Sequence, residues 1–507
     1  MTAKTLMFQG TGSDVGKSVL TAAFCRILAQ DGYQIAPFKS QNMALNSYVT
    51  KEGGEIGRAQ AVQAEAAQVD ATVDMNPILL KPKADTASQV IIQGRPYRNM
   101  EAKEYFDHRE EGLTYIQESL NRLKNNYQVV ILEGAGSPAE VNLREYDLVN
   151  MKAAELAEAP VILVASIERG GVFASIVGTF KLLNESEVAR IKGIIINKFR
   201  GDVSRLEPGL EFIEEYTGVP VLGVIPYFTD FKIPEEDSLP ADRMESNQQG
   251  DIEVAILYLP RISNFTDFTP LEDKIDTKVC YIKEGEALGD PDAVIIPGSK
   301  NTIEDLEYLK KMGYAEEIKK LAKKGVPITG ICGGYQMLGT KITDPHQMET
   351  DGKEITGLEL LNVETIFNPN KVTKQVTGKI INNNLFSELT DKSVTGYEIH
   401  MGESKLGKEV EPLFEVSAKG ENNTRLDGAI NKDGSVFGTY LHGIFDNDLL
   451  CRSFINYLRR RKGLDELDSA EDISTAKKIE TAYEQLAKLV RENVDMEQIY
   501  QILNLNT

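Results

Sequence analysis

Two short stretches of this chain carry residue types that can do chemistry, and they lie far apart. Gly330-Ile331-Cys332-Gly333-Gly334-Tyr335-Gln336 follows the apolar run Val326-Pro327-Ile328-Thr329 and leads into a helix-like Tyr335-Gln336-Met337-Leu338. A Gly-x-Cys-x-Gly turn from strand to helix exposes its central side chain above a sheet. The thiol then stands at a helix N-terminus, whose dipole and free N–H groups favour thiolate. On this reading the glycines keep Cβ atoms clear of an approaching substrate. A buried Cys serving only as a small hydrophobe leaves the glycines unexplained. Further on, Gly438-Thr439-Tyr440-Leu441-His442-Gly443 offers a base for such a nucleophile. His400, in Gly396-Tyr397-Glu398-Ile399-His400-Met401-Gly402, is the rival base, and the Gly-flanked strand-to-loop setting favours His442. Asp446 is a nearby carboxylate that can orient His442; without it the pair is a Cys–His dyad.

The second stretch is Gly10-Thr11-Gly12-Ser13-Asp14-Val15-Gly16-Lys17-Ser18, set between the apolar Thr5–Gln9 and an apolar helix from Val19. Strand, Gly-rich turn and helix make the setting of a phosphate-binding loop. Backbone N–H groups of residues 10–18 cradle phosphates, Lys17 neutralises β/γ charge, and the Ser18 hydroxyl can ligate Mg²⁺. The usual pattern has its first Gly five residues before the second; here Thr11 stands there and Gly10 precedes it. Glu133 ends the apolar strand 128–132, where α/β sheets collect ligands, and is the expected metal-side carboxylate. Ile194-Ile195-Ile196-Asn197-Lys198 ends another buried strand, with Asn197 a candidate nucleotide contact.

These sites need elements to hold them. Candidate strands at 5–9, 34–38, 128–132, 160–165, 191–196 and 221–225 alternate with amphipathic helices, as in a doubly wound parallel sheet. Residues 1–230 read as one domain and the polar, acidic 231–250 as a linker. A second βα series fills 251–450, and 451–507 is a helical, charged extension whose Leu/Ile spacing suits packing on a surface. The fold class is therefore α/β with two doubly wound domains. In the second domain, Pro297-Gly298-Ser299 closes a strand, and its turn can offer backbone N–H groups to an oxyanion.

At 507 residues the chain can bury two or three cores. Its net charge of −21 argues against nucleic acid and anionic membranes as partners. Cys25, Cys280, Cys332 and Cys451 form no CxxC pair, which speaks against disulfides and zinc. No run is long enough to span a membrane, so a cytoplasmic location is expected.

The Cys332 turn closely resembles the nucleophile turn of class I (triad) glutamine amidotransferases, which have a flavodoxin-like domain. That resemblance implies a Cys332 thioester, His442 as general base, and oxyanion or glutamine-holding roles for Gly298, Gly333 and Gln336. This chain lacks the His-Pro-Glu of that pattern and reads His442-Gly443-Ile444-Phe445-Asp446. The phosphate loop is similar to that of dethiobiotin synthetase and its relatives, which assigns to Lys39 the steadying of an activated carboxyl. Phe38-Lys39-Ser40-Gln41-Asn42-Met43, Gly57-Arg58-Ala59-Gln60 and Met75-Asn76-Pro77 through Pro82 resemble the cobyric acid synthase family. The resemblance implies ATP- and glutamine-dependent amidation of the b, d, e and g carboxylates of adenosylcobyrinic acid a,c-diamide, with ATP and Mg²⁺. A corrin bearing several carboxylates needs cations; Gln41, Asn42, Arg58 and Lys81 are candidate contacts, with Lys83, Arg95 and Arg98 beside them. The readings weighed against it are an amidoligase for another carboxylate and a P-loop switch ATPase.

Overall fold

The structure is a computed structural model that describes residues 3–82, 87–233, 250–350, 352–382, 386–421, 423–468 and 474–505. The expected linker 231–250 falls largely outside the described residues, as does Lys83. The chain divides into two compact units: Met1–Ala44, Gly54–Glu236 and Lys478–Thr507 form one, and Leu45–Gly53 with Asp237–Lys477 the other. Two segments thus depart from sequence order. Leu45–Gly53 groups with the later unit, and the C-terminal extension is split, with its last helices joining the first unit.

The first unit centres on a six-stranded sheet. Its order is Val221–Pro226, Ile191–Phe199, Val161–Ser166, Lys4–Gly10, Val129–Glu133, Ile35–Phe38, and every pairing is parallel. Runs such as Val129-Val130-Ile131-Leu132 are buried throughout, as a sheet covered on both faces requires. The six strands match those expected from the apolar runs. Gly10 and Glu133 end neighbouring strands at the same carboxyl edge. A smaller four-stranded sheet pairs Gln41–Met43 with Ile78–Pro82, then Ala87–Ile92 and Arg95–Glu101.

Helices Thr475–Asn493 and Met496–Leu503 bury Tyr483, Leu486, Val490, Ile499 and Leu503 in the core of this unit. Arg26, itself buried, meets Glu480 at 2.7 Å and lies over the Tyr483 ring. The Tyr483 hydroxyl donates to Val62 O at 3.2 Å. The extension is therefore core structure rather than an appendage. Tyr483→Ala is expected to cost about 3–5 kcal/mol through cavity formation. Urea denaturation followed by circular dichroism would measure it; a change under about 1 kcal/mol would show the extension to be loosely held.

In the second unit the parallel strands are ordered Thr277–Ile282, Ile252–Leu257, Ala293–Ile296, Ile328–Ile331, Val436–Thr439. Counted along the chain this is 2-1-3-4-5, the flavodoxin-like order. Antiparallel Ala429–Asn431 and Val410–Glu411 extend it. A second sheet is built on the long pair Val363–Ile380 and Ser393–Leu406. An isolated antiparallel bridge ties Tyr397 of this pair to His442.

Candidate functional site

In the first unit, Gly16 adopts φ 95° and opens the helix Lys17–Gln30. A Cβ there would lie 2.2 Å from Asn197 Nδ2, and that same amide donates to Val15 O at 2.9 Å. Asn197 thus helps to hold the phosphate loop in shape. Lys17 folds back over the loop, donating to Gly12 O at 2.9 Å and Gly136 O at 3.2 Å.

Glu133 is the hub of this centre and is 1 % exposed. Its Oε1 accepts from Ser18 Oγ at 2.7 Å and Lys39 Nζ at 3.0 Å, and its Oε2 from Gln63 Nε2 at 2.5 Å. Burial pushes the carboxyl up, but Lys39 and the hydrogen bonds from Ser18 and Gln63 outweigh it and hold the pKa below the usual value. A hydroxyl and an ionised carboxylate converging in this way form an oxygen donor set that suits Mg²⁺, which commonly takes one or two protein ligands and completes its shell with phosphates and water. Gln63 was missed from sequence; it lies on the helix Arg58–Ala66, three residues past the end of the quoted motif.

The proposed substrate contacts are placed unevenly. Gln41 and Asn42 lie on a short strand beside Ile78–Pro82, which carries Lys81. Gln41 accepts from the Tyr105 hydroxyl, and Asn42 donates to Gln60 Oε1 at 3.1 Å. Arg58 begins its helix. Lys81 is paired with buried Glu55 at 2.7 Å, so its charge is already balanced within the protein. Arg98 meets Glu104 and His108 near the surface. The run 36–47, read as one acceptor loop, is divided: Asn46 and Ser47 belong to the second unit.

There, Cys332 sits at φ 51°, ψ −105°, a backbone state worth about 1–3 kcal/mol of strain. Its N–H donates to Thr439 O at 2.8 Å, and its thiol to Ile399 O at 3.5 Å. Two of the flanking glycines are demanded by packing, a reason the sequence reading did not give. A Cβ on Gly334 would stand 1.9 Å from Ile296 O, and one on Gly330 would stand 2.6 Å from the Gly334 backbone. Such contacts leave no room for a side chain at either position, so the elbow can close only with glycine. Gly333 faces the Ser299 N–H at 2.9 Å, and Gly298 lies against the His442 ring, 3.1 Å from Cε1 (both from the ideal Cβ position).

His442 is 1 % exposed, and its ring is clamped. Nδ1 meets Asp267 Oδ2 at 2.6 Å, while Asp267 Oδ1 accepts from Gly443 N at 2.9 Å. Tyr397 stacks on the other side, 5.2 Å between centroids. Burial pushes the imidazolium down, but Asp267 and hydrogen-bonded Cys332 reverse this and raise it to about 10. His400 is the opposite case. Burial lowers it to about 3, its Nδ1 donates to Gly402 O at 2.7 Å, and it stacks on Tyr440. It is held neutral, with a carbonyl rather than a carboxylate at Nδ1.

The orienting carboxylate is therefore Asp267, in the short turn Phe265–Phe268, and not Asp446. Nothing in the local sequence marks it. Asn264, at φ 54°, also touches the ring, with Nδ2 3.3 Å from His442 Nε2. Its Oδ1 accepts from Ser47 N at 3.0 Å, and Phe265 N donates to Asn46 Oδ1 at 3.3 Å. Val49 joins Tyr397 and Ile399 in an apolar cluster. The inserted Leu45–Gly53 segment thus buttresses neighbours of both Cys332 and His442.

Two family models match the chain, one in each of these regions. Residues 6–241 match the CobQ/CobB/MinD/ParA nucleotide binding domain, and 253–450 match the CobB/CobQ-like glutamine amidotransferase domain. A cobyric acid synthase of Alkaliphilus metalliredigens is 53% identical over 502 residues, covering 98% of this chain and 99% of that protein. One from Caldanaerobacter subterraneus is also 53% identical, over 506 residues, and covers 99% of each. One from Desulforamulus reducens is 50% identical over 507 residues, covering 99% of this chain and 98% of its own. No helix among the described residues is long and apolar enough to cross a membrane.

Proposed function

The chain belongs to the cobyric acid synthase family, and from that premise we propose that it amidates the b, d, e and g carboxylates of adenosylcobyrinic acid a,c-diamide, using ATP and ammonia drawn from glutamine. The observation that carries the glutaminase half is the clamp of buried His442 between Asp267 and Cys332. His442, raised so that it keeps the proton taken from the thiol, stands as an imidazolium beside the thiolate; the thiolate attacks the glutamine amide carbon, and the imidazolium gives its proton to the departing ammonia. Water then hydrolyses the thioester with His442 as base. Gly298, Gly333 and the neighbouring Ser299 N–H bound the space where the tetrahedral oxygen develops, and Gln336 holds glutamine.

In the other unit, ATP phosphorylates a corrin carboxylate, and ammonia displaces phosphate from the acyl phosphate to leave an amide. Residues 10–18 hold the phosphates, Lys17 offsets their charge, and Lys39 steadies the acyl group. Ser18 and Glu133 would hold Mg²⁺, which when bound supplies neutralisation of phosphate charge. Asn197 serves by shaping the loop. Gln41, Asn42 and Arg58 bind corrin carboxyls or amides, and Lys81 does so only if its pairing with Glu55 opens.

Lys17→Ala is expected to lower amidation about 100- to 1,000-fold with either glutamine or ammonium chloride as nitrogen source. Retained turnover with ammonium would remove the phosphate-loop assignment. The function as a whole is tested by mass spectrometry of the corrin after incubation with Mg-ATP, glutamine and the a,c-diamide. Four successive carboxyl-to-amide conversions are expected. An unchanged corrin, with glutaminase and ATPase intact, would keep the amidoligase chemistry and reject this acceptor.

A further inference from the structure

The turn after the strand Ala293–Ile296 carries the Ser299 N–H, and a ring of contacts closes behind it. Ile262 and Ser263 pair antiparallel with Ser299 and Gly298. Lys300 N donates to Arg261 O at 3.0 Å, so Ile262 and Ser299 form a pair whose own N–H groups point away from each other. The Ser299 N–H therefore turns outward, and its nitrogen lies 2.9 Å from the ideal Cβ position of Gly333, the residue after the nucleophile. A side chain then fixes the turn. The Ser299 hydroxyl donates to Asp305 Oδ2 at 2.6 Å and accepts from Asn301 N at 3.0 Å.

Asp305 is fully buried on the helix Thr302–Lys311, on a face it shares with Ile303, Leu306 and Leu309. A carboxylate in such a place is costly unless it is paired. Arg261 brings a guanidinium nitrogen to 3.5 Å from Asp305 Oδ1 and also meets Glu304. Burial raises the Asp305 carboxyl to about 6 while Ser299 and Arg261 pull against it, so at neutral pH it is the ionised acceptor that the Ser299 hydroxyl needs. The local structure does not call for this carboxylate. Asn301 already caps the helix by accepting from Glu304 N at 3.2 Å, and backbone bonds already make the bridge to Ile262 and Ser263. A buried aspartate is an expensive way to tie down one hydroxyl, and the expense has a reason where the direction of the adjoining N–H matters.

We propose that Asp305 is the positioning residue of the oxyanion turn: acting through the Ser299 hydroxyl, with Arg261 as its counter-charge, it fixes the direction of the Ser299 N–H beside Gly333. Its effect reaches the reaction only through Ser299. An oxyanion donor acts when the amide oxygen becomes tetrahedral and gains charge, not when glutamine first binds. A misdirected N–H therefore slows turnover without weakening the complex with glutamine, and Asp305 governs rate rather than recognition. The segment 261–267 then serves the reaction twice: Arg261, Ile262 and Ser263 hold the turn, and Asp267 orients His442. The assignment rests on the Cys332 glutaminase reading.

The test measures glutaminase kinetics of the full chain beside alkylation of Cys332 by iodoacetamide, which reads the thiol without forming an oxyanion. Asp305→Asn keeps the shape but sets an amide NH₂ against either Ser299 or Arg261. It is expected to lower kcat about 10- to 100-fold, with KM within about twofold of wild type and the alkylation rate unchanged. Ser299→Ala should do the same, and Ser299→Thr, which keeps the hydroxyl, should recover part of the rate. The double variant Ser299→Ala with Asp305→Asn should be no slower than Ser299→Ala alone, because the carboxyl acts through the hydroxyl. Losses that multiply in the double variant, or a KM or alkylation rate that moves with kcat, would make Asp305 a structural residue and overturn the inference. An unchanged kcat in Asp305→Asn would do so as well. If the wild type releases no glutamate from glutamine, the Cys332 reading itself falls, and the inference with it.

Discussion

Replacing Cys332 by alanine is expected to abolish release of ammonia from glutamine, by roughly a million-fold, while amidation driven by added ammonium chloride continues. The size of the effect follows from covalent catalysis: no other group at the elbow can form the thioester, and water alone is a poor nucleophile toward an amide. Survival of the ammonia-driven reaction follows from the separation of chemistries, since Lys17, Lys39 and Glu133 belong to the other unit. Alanine also fits the elbow without new contacts, because only the sulfur is removed from a position 7 % exposed. The measurement pairs a glutamate-release assay with corrin mass spectrometry. Loss of both nitrogen sources would mean that Cys332 supports the fold rather than the chemistry.

Asp267→Asn should reduce glutaminase about 1,000- to 10,000-fold with little change in fold. The substitution keeps the shape but inverts one hydrogen bond. An Asn amide donates toward His442 Nδ1, so the ring proton moves to Nε2 and the histidine can no longer take the thiol proton. The pH profile should move as well. Asp267 contributes to raising His442 to about 10 against burial. Without that negative charge the imidazolium is lost at lower pH, and the alkaline limb of activity shifts toward neutrality. The same linkage acts on stability: the folded-state proton of His442 is bound more tightly than at its ordinary value of 6.5, so the stabilising share is complete below about 6.5 and disappears as pH rises through 10. The stability gap between wild type and Asp267→Asn should therefore narrow at high pH. A variant within tenfold of wild type, with an unmoved pH profile, would remove Asp267 from the mechanism. Asp446→Asn is the companion control and should leave the profile in place.

Much of this protein was legible from its residues because its signals are local. A phosphate loop and a nucleophile elbow are each contiguous strand–turn–helix segments whose glycines mark them within a few positions. The six strands of the first sheet are buried on both faces, so they read directly as apolar runs. Even the reason for the elbow glycines lies in the tertiary structure, however. Their crowding comes from Ile296 O and from the elbow's own backbone, which no pattern displays.

What the chain alone determined is the chemistry at hand: a thiol at a strained turn, a phosphate loop ending in Lys17 and Ser18, and two α/β units to carry them. What only the tertiary structure decided is which groups complete those sites. Asp267 lies 175 residues from His442 and follows a segment that pairs Ile262 and Ser263 with Ser299 and Gly298. Leu45–Gly53 leaves the unit that precedes it to brace Asn264, and Thr475–Asn493 returns to the first core. The reason is that a nucleophile needs a particular backbone geometry, which short sequence spacing encodes, whereas an orienting carboxylate needs only to arrive within hydrogen-bond distance. Any strand order that delivers it will serve, so its position is written in the packing of the sheet and not in the spacing of the chain.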